Sequence, residues 1–266
     1  MTAKVEAIQV TKRFPVHRKG DEIVALRDFS LRVFDSEFLA VVGPSGCGKS
    51  TFLNAVAGLE PIDQGQLLMD GRPITKAGAD RGVCFQDFAL FPWLTVRENV
   101  EFSLEAQGRP RAERREIGRK FIELVGLVGF ENRYPYELSG GMKQRCALAR
   151  LMAGDPSILL MDEPLASVDA QTRLILQNEI LRIWGEERSA ATRKTVIFVT
   201  HSIDEAVFLS DRIAVMTARP GQVKDIAVNP LPRPREDRLR GEARFSKLTM
   251  EIWDLVRDAA LKAIEA

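Results

Sequence analysis

Gly43-Pro44-Ser45-Gly46-Cys47-Gly48-Lys49-Ser50-Thr51 fits the pattern G-x-x-x-x-G-K-[ST], a loop built to cradle phosphate. The five apolar residues 38–42 before it read as a strand, and 52–57 behind it as a helix ended by Gly58. Strand, loop and helix are the context the motif requires. Its glycines let successive backbone N–H groups turn inward on a polyphosphate, and a helix N-terminus adds partial positive charge. Lys49 would reach the β- and γ-phosphates, and the Ser50 hydroxyl would complete a Mg²⁺ shell. The alternative is a glycine-rich turn that binds nothing. At an average Gly usage of about 7%, chance produces such a match in roughly one chain of this length in a hundred.

Downstream, Ile158-Leu159-Leu160-Met161 has the composition of a fully buried strand and ends in Asp162-Glu163-Pro164. Successive strand residues point to opposite sides, so the two carboxylates need not share a role. One can hold Mg²⁺ through its water shell, and the other can deprotonate an attacking water. A second apolar strand, 195–200, is followed directly by His201, a candidate donor to a γ-phosphate. The other histidine, His17, belongs to a basic loop. A shorter strand, 81–85, ends at Gln86, the position where ligands bind in open α/β sheets. Strands at 213–216 and 223–228 complete this core.

Upstream of the loop, 5–10 reads as a first strand, which the chain leaves at Thr11. Residues 23–34 alternate enough to join it in a small antiparallel layer. Phe14 is either core or a ring on which a base can stack. From 88 to 156 the texture becomes helical, with periodic stretches at 95–107 and 111–125 and a capping box at Thr95 and Glu98. The stretch Phe91-Pro92-Trp93-Leu94 is core if buried and a docking knob if exposed. Ser139 is a good N-cap with Gly140 and Gly141 behind it: a second anion site at a helix N-terminus, or an ordinary capped helix. An amphipathic helix follows over 171–184. Residues 229–235, rich in Pro and Arg, read as an extended linker. The face of Phe245, Leu248, Ile252 and Leu255 on the last helix covers either the chain's own core or a partner.

A net charge of +1 over 266 residues argues against a dedicated nucleic-acid binder. Cys47, Cys84 and Cys146 are odd in number and lack any C-x-x-C pairing, which points away from disulfides and zinc and toward a reducing, cytosolic setting. No stretch reads as a signal core or approaches the ~18 apolar residues of a membrane span, so a soluble chain is expected.

Taken in order, these motifs resemble the ATP-binding subunit of an ABC transporter over nearly the whole chain. Residues 43–51 correspond to Walker A, Gln86 to the Q-loop, and 138–144 to the LSGGQ signature, with Met142 in the Gln place. Residues 158–163 look like Walker B, Ser167-Val168-Asp169 like the D-loop, and His201 like the switch histidine. Finer features, the 91–96 stretch, the Gly-Gly-Met signature and the terminal Pro-Arg segment, look like the nitrate, sulfonate and taurine importer branch. Ser167-Val168 in place of the more usual Ala-Leu, and Ser202 where Asp is common, are departures that leave the charged atoms intact.

The resemblance implies a P-loop α/β core (1–87 and 157–228) with an N-terminal antiparallel β layer, an inserted helical subdomain (88–156), and a linker and helix (229–266). It implies ATP and Mg²⁺, with Phe14 on the adenine and Gly43, Ser45, Gly46, Cys47, Gly48, Lys49, Ser50 and Thr51 around the phosphates. Ser50, Gln86 and Asp162 would hold the metal, and Glu163, His201 and Gln86 would serve catalysis. Two copies would pair head to tail, so that Ser139, Gly140, Gly141 and Asp169 meet the other copy's ATP. Residues 86–96 would contact membrane permease subunits at the cytoplasmic face of the inner membrane, and a solute-binding protein would act only indirectly. A stand-alone ABC ATPase of nucleic-acid repair or translation is the runner-up; such proteins usually carry two cassettes in one chain, or added zinc or coiled-coil elements.

Overall fold

The computed structural model describes residues 2–15, 21–185 and 193–264, so the reading of His17 lies outside the described residues. By contacts the chain divides into two units, Met1–Gly78 with Trp184–Ala266, and Ala79–Ile183. The boundaries expected from sequence, at 87/88 and 156/157, lie inside the second unit.

In the first unit, β1 (Ala3–Pro15) pairs antiparallel with β2 (Glu22–Phe34) and with β4 (Gln64–Met69), which pairs with β5 (Arg72–Pro73). Val5, Ala7 and Val10 of β1 and Phe29, Leu31 and Val33 of β2 form one buried face. The register shift between Ala7 and Val10 coincides with left-handed Gln9 (φ 49°), and the shift between Val10 and Lys12 with left-handed Asp28 (φ 48°) on β2. Such bulges bend a strand without ending it. The chain therefore does not leave the layer at Thr11; pairing continues to Phe14 opposite Ile23 and Pro15 opposite Glu22.

The same unit holds a buried parallel layer. β3 (Phe38–Val42) runs parallel to β8 (Thr195–Val199) on one side and to β9 (Arg212–Met216) on the other, and β10 (Val223–Val228) is antiparallel to β9. Every residue of β3 and β8 is buried, which explains their unbroken apolar composition. Helices α1 (Lys49–Ala57) and α6 (Ile203–Leu209) leave the ends of β3 and β8. The final helix, α7 (Ala243–Ile264), packs on α6, β9 and β10 with Phe245, Leu248 and Ile252 buried, so that face covers the chain's own core.

The Pro-Arg segment is docked. Arg235 is buried and donates to the carbonyls of Val207, Phe208 and Ser210 at the end of α6. Arg233 donates to the Leu209 carbonyl and to Asp211, and its guanidinium lies 4.2 Å from the Trp184 ring centroid. Two arginines thus satisfy carbonyls that a helix C-terminus leaves orphaned.

In the second unit, β6 (Arg81–Cys84) runs parallel to β7 (Ile158–Asp162). Helix α2 (Val96–Ala106), whose Thr95–Glu98 capping box is formed, packs on α3 (Arg111–Leu124) and α4 (Gly140–Ala153); α5 (Ala170–Trp184) follows. Leu151 of α4 and Pro156 pack against β6 where Gly82 lacks a side chain.

Candidate nucleotide site

The loop from β3 to α1 carries the first group of site residues. Gly46 and Gly48 are left-handed, at φ 72° and 98°. A Cβ on Gly48 would stand 2.8 Å from the Ala25 carbonyl oxygen, so only glycine fits there. Gly48 is also the N-cap of α1, and it supplies no side-chain acceptor, nor is any acid present in the first turn. A nine-residue helix that begins uncapped beside exposed Ser45, Gly46 and Ser50 fits a bound anion. Lys49 is buried, and its Nζ donates to the carbonyls of Gly43 (2.9 Å) and Pro44 (3.0 Å) and lies 3.8 Å from the Cys47 sulfur. Burial pushes the Cys47 thiol up, and the nearby Lys49 charge only partly offsets it.

Contacts distant in sequence support this loop. Arg219 Nε donates to the Gly46 carbonyl at 3.3 Å. Gly221 lies so close to the Cys47 carbonyl that a Cβ would collide with it. Parallel register also brings His201 near, because the Thr200 amide donates to the carbonyl of Val41, two residues before Gly43. The His201 side chain is exposed. Buried Thr200 and Glu205 fix its turn: Thr200 Oγ1 donates to Glu205 Oε2 at 2.6 Å and accepts from the Ser202 amide. Phe14 is half-buried on β1 with the Lys12 ammonium 5.0 Å from its ring centroid, and Lys12 pairs with Glu60 at 2.7 Å.

The second group lies in the other unit. Cys84 pairs in register with Met161, so Gln86 and Glu163, each two residues on, leave neighbouring strand ends together. Gln86 is exposed and Asp162 buried. The strand ends at Asp162, and Glu163 is left-handed (φ 46°), so a turn and not strand alternation aims its carboxylate. The expected alternation stops one residue short. Non-glycine residues in this region are strained and cluster at functional sites.

Ser139 caps α4, accepting from the Met142 amide at 3.3 Å. A Cβ on Gly140 would meet nothing within 4 Å, and one on Gly141 only the Ser167 carbonyl at 3.6 Å. Folding of the chain itself therefore does not require glycine at either position. Asp169 is exposed and accepts from the Thr172 amide at 3.0 Å, which holds its carboxyl below the usual range.

Trp93 is 70% exposed and Pro92 is exposed, which settles the 91–93 stretch as a surface feature. Phe91 is half-buried against Phe102 at 4.3 Å between centroids. Two residues that sequence reading missed hold this stretch. Asn99, fully buried, donates to the carbonyls of Phe91, Leu94 and Thr95 and accepts from the Phe91 amide. Arg150 donates to the carbonyls of Phe88 and Ala89. The only signal for either was a polar residue inside an apolar helical pattern.

Ser50 in the first unit, and Asp162 and Gln86 in the second, each carry a hard oxygen donor of the kind Mg²⁺ takes.

The family model described as ABC transporter matches residues 26–166. An uncharacterized ABC transporter ATP-binding protein of Methanocaldococcus jannaschii is 51% identical over 100% of this chain and 96% of its own length. The nitrate import ATP-binding protein of a Synechocystis strain is 39% identical, with 93% and 94% covered. The taurine import ATP-binding protein of Roseobacter denitrificans is 47% identical, with 77% and 74% covered. Among solved structures, the dimeric post-hydrolysis state of an ATP-binding cassette bound to ADP and Pi superposes with a TM-score of 0.76. That cassette is 31% identical, over 86% of this chain and all of its own. A phosphate loop with an uncapped helix, a strand ending in paired carboxylates and a serine-capped Gly-Gly helix agree with these matches: the chain belongs to the ATPase subunits of ABC transporters.

Proposed function

We propose that this ATPase binds ATP with Mg²⁺ and drives import of a small anion of the nitrate, sulfonate or taurine kind through separate permease subunits. The uncapped start of α1, with Lys49 beside it, is the observation that carries nucleotide binding. The relatives named for nitrate and taurine import support the solute class. Phe14 stacks on the adenine, and the 43–51 loop wraps the phosphates. Ser50, Gln86 and Asp162 hold Mg²⁺, which supplies charge neutralisation on the β- and γ-phosphates.

Glu163 takes the proton of the attacking water, and His201 donates a hydrogen bond to the γ-phosphate. The half-buried, left-handed setting of Glu163 supports the first assignment. Bare glycines at 140 and 141 leave backbone N–H groups open to close approach, which supports a head-to-tail pair in which Ser139, Gly140, Gly141 and Asp169 meet the ATP held by a second copy. The similar cassette solved as a dimer bound to ADP and Pi supports pairing of two copies.

Among the described residues no helix is long and apolar enough to cross a membrane. Attachment to the cytoplasmic face of the inner membrane runs through the permease, with Trp93 and its neighbours as the dock; a solute-binding protein acts only through the permease. The test is co-expression with the permease encoded in neighbouring reading frames. A complex whose phosphate release rises with nitrate or an alkyl sulfonate supports the proposal. Co-purifying nucleic acid with no permease complex overturns it.

A further inference from the structure

Phe88 and Ala89 are consecutive left-handed residues, at φ 61° and 45°. L-residues with side chains avoid this region, and two in succession are stable only where surroundings impose them. Here a single side chain grips both. Arg150 Nη2 donates to the Phe88 carbonyl at 3.0 Å and Nη1 to the Ala89 carbonyl at 2.6 Å. The same guanidinium lies 5.5 Å from the Phe91 ring centroid. Among the described residues no carboxylate pairs with it within 4 Å. Burial holds its pKa below the ordinary arginine value. A largely desolvated cation thus spends its donors on two main-chain oxygens of one kink.

That kink lies between Gln86 and the aromatic stretch, and Asn99 of α2 grips the other side, at Phe91, Leu94 and Thr95. Arg150 belongs to α4, whose first residues are Gly140 and Gly141. Ten residues of helix separate the grip from that end, about 15 Å at 1.5 Å per residue. We infer that Arg150 is a positioning residue: it locks the 88–89 kink to α4, so that Gln86, the aromatic stretch and the Ser139–Gly141 helix start move as one body. Lysine cannot replace it, because a point charge does not match two carbonyls as a planar fork does.

This inference rests on the proposed function for the roles of Gln86 and the helix start, but its geometry stands without them. The test uses the full chain carrying Arg150→Met, with Arg150→Lys as the milder variant should the first fail to fold. Amide exchange is read at Phe88, Ala89, Phe91 and Leu94, whose N–H groups are all bonded within this stretch or to Asn99. Expected is at least tenfold faster exchange at these amides with α2 and α4 unchanged. KM for ATP should stay within twofold while kcat falls at least tenfold. Arg150→Lys should show the same pattern in smaller measure. Unchanged exchange at 88–94, or acceleration spread evenly over residues 79–183, overturns the inference. Should the wild-type chain release no phosphate, the proposed function fails, and the exchange pattern still decides the role of Arg150.

Discussion

Lys49 Nζ donates to the Gly43 carbonyl oxygen at 2.9 Å, so the cation at the start of α1 ties down the first residue of the phosphate loop. Lys49→Ala should therefore remove both a phosphate partner and a tie within the loop. ATP affinity should fall at least tenfold and phosphate release at least a hundredfold, read by calorimetry and steady-state assay. Stability should drop by about 1–3 kcal/mol, as carbonyls lose a charged donor. Wild-type turnover would refute the loop's role.

Glu163→Gln keeps size and hydrogen bonding but cannot accept a proton. Phosphate release should fall by roughly 10²–10⁴-fold, the usual worth of a general base. ATP should still bind, and size-exclusion chromatography should show a dimer only with ATP and Mg²⁺. Asp162→Asn should instead weaken Mg²⁺-dependent nucleotide binding itself. Near-normal release from Glu163→Gln would show that the base lies elsewhere.

Trp93, being 70% exposed, contributes little to the core. Trp93→Ala should leave the melting temperature and basal phosphate release of the isolated chain unchanged, and should weaken binding to the permease at least tenfold. A fall of several kcal/mol in stability, typical of a lost core Trp, would contradict the exposure.

Burial pushes the thiols of Cys84 and Cys146 up to about 12, and that of Cys47 up against the pull of Lys49. A raised pKa lowers the thiolate fraction at any given pH, and thiolate is the reactive form. All three should alkylate slowly at pH 8 in the native chain. As pH rises Cys47 should label first, and denaturant should release all three at once. Peptide mass spectrometry after timed iodoacetamide treatment reads the order.

Arg235 caps the end of α6 from a segment rich in proline. Arg235→Lys should lower stability by about 2–4 kcal/mol, because a compact ammonium does not reproduce the guanidinium's reach to the Val207, Phe208 and Ser210 carbonyls and leaves buried acceptors unpaired. For a chain of this size that is a fall of roughly 4–15 °C in melting temperature. Calorimetry checks it; an unchanged melting temperature would return 229–235 to the status of a free linker.

The elements that local pattern specifies were legible in the chain. The phosphate loop is one, because its glycines, lysine and flanking strand and helix act within a dozen residues. The buried strands ending at Asp162 and Val199 are others, because burial on both faces demands an unbroken apolar composition. What only the tertiary structure decided depends on partners far apart in sequence or on backbone torsions. Arg219 reaches the Gly46 carbonyl across 173 residues, and Arg150 reaches the Phe88 carbonyl across 62. Carbonyl acceptors are the same on every residue, so nothing in the chain names which one an arginine will find. Glu163 departs from strand alternation because its φ is positive, a torsion that no side-chain pattern encodes at a glutamate. Phe91-Pro92-Trp93 carries a composition compatible with core or surface; packing on Phe102 and the grip of Asn99 hold Phe91 half-buried and leave Trp93 outside.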